Sequence, residues 1–100
     1  MPKYNLILQE EAILDLLEAF NYYESKKMGL GNEFEAEAFE LLELIESNPY
    51  LFQIRFGNFH ETPLNKFPYN IVYEILKDDI LINAVFFTKR HPANKNRNGK

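Results

Sequence analysis

The 100-residue chain contains no cysteine and no tryptophan. Without cysteine there is no disulfide framework, no thiolate metal site and no cysteine nucleophile. Only two histidines are present, His60 and His91, far apart in sequence. With no thiol beside them, neither a metal nor any other cofactor is expected. No apolar run approaches the roughly 20 residues needed to span a bilayer. The first residues, Met1-Pro2-Lys3-Tyr4-Asn5, lack the apolar stretch of a signal peptide. The expectation is a soluble cytoplasmic protein with no membrane contact. Glycine-rich phosphate loops and Gly-x-Ser-x-Gly elbows are also missing, as are internal repeats.

What is present is a hydrophobic content of 46% and an aromatic content of 15%. That composition suits one folded domain with a modest core. The net charge of −4 hides an asymmetry. Residues 1–50 carry three Lys/Arg against eleven Asp/Glu, whereas residues 51–100 carry eight against four. From Lys89 onward there are five cations and no acid. Two readings fit: acids coating the solvent faces of helices with cations ending a tail, or a dipolar molecule whose basic side meets an anionic partner.

Residues Lys3 to Gln9 alternate as a short strand, with Tyr4, Leu6 and Leu8 on one face. Glu10 and Glu11 open a helix, where acids suit the positive end of the dipole. Its apolar stripe is Ile13, Leu16, Leu17, Phe20 and Tyr23. Ser25 to Asn32, with Gly29 and Gly31, reads as a turn. A second helix follows from an Asn32 N-cap to Ser47, with Phe34, Ala38, Leu41, Leu42 and Ile45 apolar and six glutamates elsewhere. Asn48-Pro49 stops it. Phe52, Ile54 and Phe56 form a short strand that turns at Gly57-Asn58. Phe59 to Lys66 returns irregularly, with Pro63 at an edge or bulge.

The most informative stretch is Phe67-Pro68-Tyr69-Asn70-Ile71-Val72-Tyr73 with its return strand. Tyr69, Ile71, Tyr73 and Ile75 alternate on one face, and Asn70, Val72, Glu74 and Leu76 on the other. Lys77-Asp78-Asp79 makes the turn. Ile80, Ile82, Ala84 and Phe86 then alternate against Leu81, Asn83, Val85 and Phe87, before Thr88, Lys89, Arg90 and His91 end the apolar run. The class is α+β in the order β-α-α-β-β-β-β, a helical hairpin packed on one face of a mainly antiparallel sheet. Residues 1–92 form one domain, and residues 93–100 a polar basic tail.

Phe67 through Tyr73, followed by Ile80, Ile82, Ala84, Val85, Arg90 and Pro92, resembles the RelE/ParE family, the toxins of type II toxin–antitoxin systems. The family pattern is F-P-Y-x-I-x-Y, a short turn, then I-x-I-x-A-V-x-H-x-x-R-x-P. Phe87 stands where the family often has histidine. No arginine lies between His60 and Asn65, where many members have one. The resemblance fades after Pro92. It implies the RelE-like fold and a cognate antitoxin that folds over the toxin. It also implies growth arrest, by inhibition of DNA gyrase in ParE-like members or by ribosome-dependent mRNA cleavage in RelE-like members. The F-P-Y-x-I-x-Y wording and the long helical hairpin look more ParE-like, so a non-enzymatic toxin is expected. A non-toxic peptide-binding module on the same fold is a further alternative.

Arg90, Lys89, Tyr69, Tyr73 and Lys66 are the expected target-binding residues. A guanidinium at a strand end suits bidentate contact with phosphate or carboxylate. Tyr69 and Tyr73 either stack on a partner or pack beneath the helices; Ile71 and Ile75 on the same face favour packing. For ribonuclease chemistry the candidates are Arg90, His91, Lys89 and Arg55, since phosphate cleavage needs clustered cations with an acid and a base. His60 and His91 both read as surface residues. Leu16, Phe20, Tyr23, Phe34 and Leu41 are expected to line an antitoxin groove along the helices.

Overall fold

A computed structural model describes residues 4–88. The order is β1 (Asn5–Leu8), α1 (Glu10–Lys26), α2 (Leu30–Ser47), β2 (Ile54–Phe56), β3 (Phe59–Pro63), β4 (Tyr69–Leu76) and β5 (Asp79–Phe87). The strands form one sheet in the order β1-β5-β4-β3-β2. β1 runs parallel to β5, and the other neighbours are antiparallel. The α+β reading and its element order therefore hold. The helical hairpin carries the chain from β1 across one sheet face to β2 at the opposite edge, and three antiparallel steps then bring β5 back beside β1.

The core lies between the helices and one sheet face. Phe34, Ala38 and Ile45 of α2 meet Ile71, Tyr73, Ile80, Ile82 and Val85 of the central strands, all essentially inaccessible to solvent. On α1 the expected stripe is rotated. The buried residues are Ala12 and Ala19, with Leu16 and Tyr23 packed beside them. Ile13 and Leu17 are 50% and 55% exposed. A stripe drawn through the largest side chains misses the contact line, because close approach to β5 favours small residues there.

The helix junction also differs from expectation. α2 begins at Leu30 rather than after Asn32, and its N-cap is Gly29 in the left-handed region at φ 88°. No cap side chain comes from α2 itself. Instead, the Glu24 carboxylate of α1 accepts from the Gly29 and Gly31 N–H groups, both at 2.9 Å. One anion thus satisfies two donors at the positive end of α2. At Gly31 a Cβ would lie 2.7 Å from the Phe20 carbonyl oxygen. Glycine is what lets the two helices meet there.

The long hairpin carries a β-bulge. Val72 pairs with Ala84, but Tyr73 pairs with Ile82, so Asn83 is the extra residue. One extra residue reverses the alternation beyond it. Ile80 and Ile82 face the core as expected, yet past the bulge Val85 does so, and Phe86 turns outward, 41% exposed. The expected grouping of Ile80, Ile82, Ala84 and Phe86 on one face is corrected accordingly. The Val85 N–H donates to Asp15 Oδ2 at 2.9 Å, which ties β5 to α1 beside the bulge. The turn is shorter than expected: Asp79 already belongs to β5, and Lys77 takes a positive φ of 56°.

Candidate functional site

Two surfaces remain once the core is closed. One is the outer sheet face. Glu61, Asn70 and Glu74 lie there, opposite in sense to the buried His60, Thr62, Ile71 and Tyr73. Glu61 accepts from Asn70 Nδ2 and forms an ion pair with Arg55 at 3.8 Å. Glu74 accepts from Asn83 Nδ2 at 3.2 Å. These carboxylates are therefore engaged by neighbours already in the sheet.

The second surface is a cleft where the C-terminal half of α1 passes the ends of β4 and β5. Asp15, Glu18, Ala19 and Tyr22 form one wall, and Tyr69, Val85, Phe86 and Phe87 the other, around about 390 Å³. Tyr69 stacks edge-on against Phe87 at 5.4 Å and Phe34 at 5.2 Å. Its phenol is pushed up to about 12, first by burial and then by the neighbouring Tyr23 hydroxyl. Burial likewise raises Tyr23 above the ordinary 10.0. Tyr69 is half-buried and lines the cleft, the one of the two expected tyrosines that keeps exposed surface.

Tyr73 is fully buried, and its hydroxyl donates to the Pro49 carbonyl at 2.7 Å. That bond fixes the α2–β2 connection onto the sheet. It leaves Tyr73 no atom at the surface. His60 is not a surface residue either: it is 5% exposed, its Nδ1 lies 2.8 Å from the Phe52 carbonyl, and its ring stacks on Tyr73 at 5.0 Å. A hydrogen-bonded, stacked imidazole in that position is a structural group. The sequence offered no sign of the acceptor waiting at Phe52, which is why His60 read as a surface residue.

Arg55 and Lys66 are not brought together. Arg55 sits on the edge strand β2 beside Glu61. Lys66 follows β3 and shares a shallow cleft with Glu33, Glu37 and Glu40 of α2. Its backbone N–H, with that of Asn65, donates to the Glu37 carboxylate. Lys89, Arg90 and His91 lie outside the described residues, as does the tail 93–100.

Of the expected groove residues, Phe34 is fully buried, and Leu16, Tyr23 and Leu41 are half-buried against the core. Phe20 is half-buried as well. The apolar side chains that the helices expose are Ile13, Leu14, Leu17, Tyr22, Phe39 and Leu44. Among the described residues no cluster of three His, Asp or Glu could hold a metal ion. No helix there is long and apolar enough to cross a membrane.

The buried phenols make stability depend on alkaline pH. Tyr73 is pushed by burial to about 12 and Tyr69 similarly, against an ordinary 10.0. Between these values the folded chain holds protons that the unfolded chain releases, so stability falls as pH rises through the window. Below pH 10 the contribution is complete. Urea midpoints are expected to drop from about pH 10 upward, and less steeply for Tyr73→Phe. A flat profile to the upper end of the window would show that these hydroxyls ionise as freely in the fold as outside it.

No family model and no curated relative matches the sequence. Solved structures do match the fold. A chain of the chromosomal ParDE TA system from P. aeruginosa superposes with a TM-score of 0.72 at 14% identity, over 87% of this chain and 98% of that one. The isolated E. coli RelE toxin gives a TM-score of 0.59 at 16% identity, over 96% of each chain. The YoeB dimer from Staphylococcus aureus gives 0.55 at 16% identity, over 89% and 99%. The chain thus has the fold of the RelE/ParE toxins. The match spans nearly the whole of each neighbour's chain.

Proposed function

We propose that the chain is the toxin of a type II toxin–antitoxin pair, neutralised by a cognate antitoxin, and that its target is DNA gyrase. The observation that carries this reading is the likeness to the ParDE chain, whose TM-score of 0.72 stands above the 0.59 of RelE. The character of the sheet supports it. A site for RNA cleavage needs cations converging on the phosphate. On the outer sheet face the described cation is Arg55, already paired with Glu61, while Lys66 sits beside the acids of α2. Phe87, in place of the family's frequent histidine, lines the apolar side of the α1 cleft. Ribosome-dependent mRNA cleavage is the second reading, and it rests on Lys89, Arg90 and His91.

The direct test is supercoiling of relaxed plasmid by purified gyrase with the chain added, beside translation of a reporter mRNA on ribosomes. Inhibited supercoiling with intact mRNA is expected. Cleaved mRNA with unhindered gyrase would transfer the chain to the ribonuclease branch. Arg90→Ala is expected to weaken gyrase inhibition by about tenfold or more, as loss of a charge-assisted contact does.

A further inference from the structure

Glu11, Asp15, Glu18 and Tyr22 follow one another at 4-3-4 spacing on α1 and so share one helix face. Asp15, Glu18 and Tyr22 of that face form a wall of the cleft closed on the other side by Tyr69 and Phe87, and Glu11 lies one turn before them. Among the described residues no lysine or arginine lines the cleft. Asp15 gives one carboxylate oxygen to the Val85 N–H, and Glu18 stands exposed at the rim. Carboxylates beside aromatic faces are the surroundings that an ammonium or guanidinium group seeks.

The described chain ends at this cleft. Phe86 and Phe87 line it, and the Thr88 N–H donates to the Pro68 carbonyl at 2.7 Å. The next twelve residues, 89–100, carry Lys89, Arg90, Lys95, Arg97 and Lys100 and no acid. Twelve residues reach up to roughly 40 Å, more than the ~25 Å length of a helix of this size. The geometry points to the basic segment 89–100 as the occupant of the acidic α1 face, with one of its cationic groups seated in the cleft among Tyr22, Tyr69 and Phe87. Tethering favours this occupant over a free one, since a short linker confers an effective concentration on the order of millimolar. The cations expected to meet a target are then held by the chain's own acids until a partner competes for them. This inference stands whether or not gyrase is the target.

The absence of cysteine makes the test direct, because Asn98→Cys provides a single attachment point for a nitroxide spin label. Amide signals of Glu11–Tyr22 are expected to broaden, and those of the exposed face of α2 to stay sharp. Glu11→Lys/Glu18→Lys should remove the broadening; Glu33→Lys/Glu40→Lys, the same charge change on α2, should preserve it. In the parent labelled chain, salt of about 1 M, with a screening length near 3 Å, should cut the broadening at least about threefold. This arm needs no charge variant to fold. Broadening absent from α1, or indifferent to both the α1 charge reversal and salt, would overturn the proposal. So would α1 broadening of equal size when label and isotope are on different molecules, which would make a second copy the occupant.

Discussion

Phe34→Ala is expected to destabilise the chain by about 3–5 kcal/mol, the cost of removing a fully buried aromatic side chain. A domain of this size has about 5–15 kcal/mol in total, so much of the population would be unfolded at modest urea. Phe34 is 0% exposed and sits within a group of rings: Tyr23 at 5.7 Å, Phe67 at 5.4 Å and Tyr69 at 5.2 Å. Truncation leaves a hole under three elements at once, and rigid rings relax into it poorly. Phe34→Leu keeps more of the volume and should cost clearly less, roughly 1–2 kcal/mol. The measurement is urea unfolding followed by circular dichroism. It also separates two roles for the residue. If Phe34 were a surface contact for an antitoxin, its truncation would leave stability unchanged and weaken only binding.

Gly31→Val is expected to be the next most damaging change, at about 2–4 kcal/mol, from overpacking together with partial loss of a helix cap. The new Cβ would meet the Phe20 carbonyl oxygen at 2.7 Å and the Glu24 carboxylate at 2.8 Å. A backbone oxygen cannot swing aside, so the helices must part or α2 must shift. The same carboxylate caps the Gly29 and Gly31 N–H groups, so the strain and the lost cap come together. Gly29→Ala is the comparison. No atom lies within 4 Å of its Cβ position, and the cost comes from φ of +88° alone. It should be nearer 1 kcal/mol. Equal losses at the two glycines would mean that the helix contact is not as close as the geometry has it.

The order of elements was legible in the sequence because each boundary has local chemistry. Asn48-Pro49 ends α2, Gly57-Asn58 turns β2 into β3, and strict alternation marks β4. What escaped depends on partners distant in sequence. The cap of α2 is Glu24, supplied by the other helix, so an Asn32 cap was the natural local choice. The bulge at Asn83 is held near Val85 by Asp15, seventy residues away, and no period-2 pattern reveals one inserted residue. On α1 the large apolar side chains drew the stripe, yet Ala12 and Ala19 make the contact.

The sequence placed Tyr69 and Tyr73 on one face of β4, and alternation alone could not divide them: Tyr69 reaches a cleft, whereas Tyr73 is consumed by the core, as is Phe34 on α2. Their separation comes from position along the strand: Tyr73 lies under the α2–β2 connection, and Tyr69 at the open end beside α1. The motif that carried the family resemblance runs from Phe67 to Pro92 and so continues into residues 89–92, outside the described region.

Induction of the lone chain in a bacterial host, with growth, plasmid superhelicity and cellular mRNA integrity followed in the same culture, tests the central claim most directly. The account predicts arrest with loss of negative supercoiling and intact mRNA, relieved when the cognate antitoxin is co-expressed. Unimpaired growth at verified soluble expression, or arrest with cut mRNA and unchanged superhelicity, would contradict it.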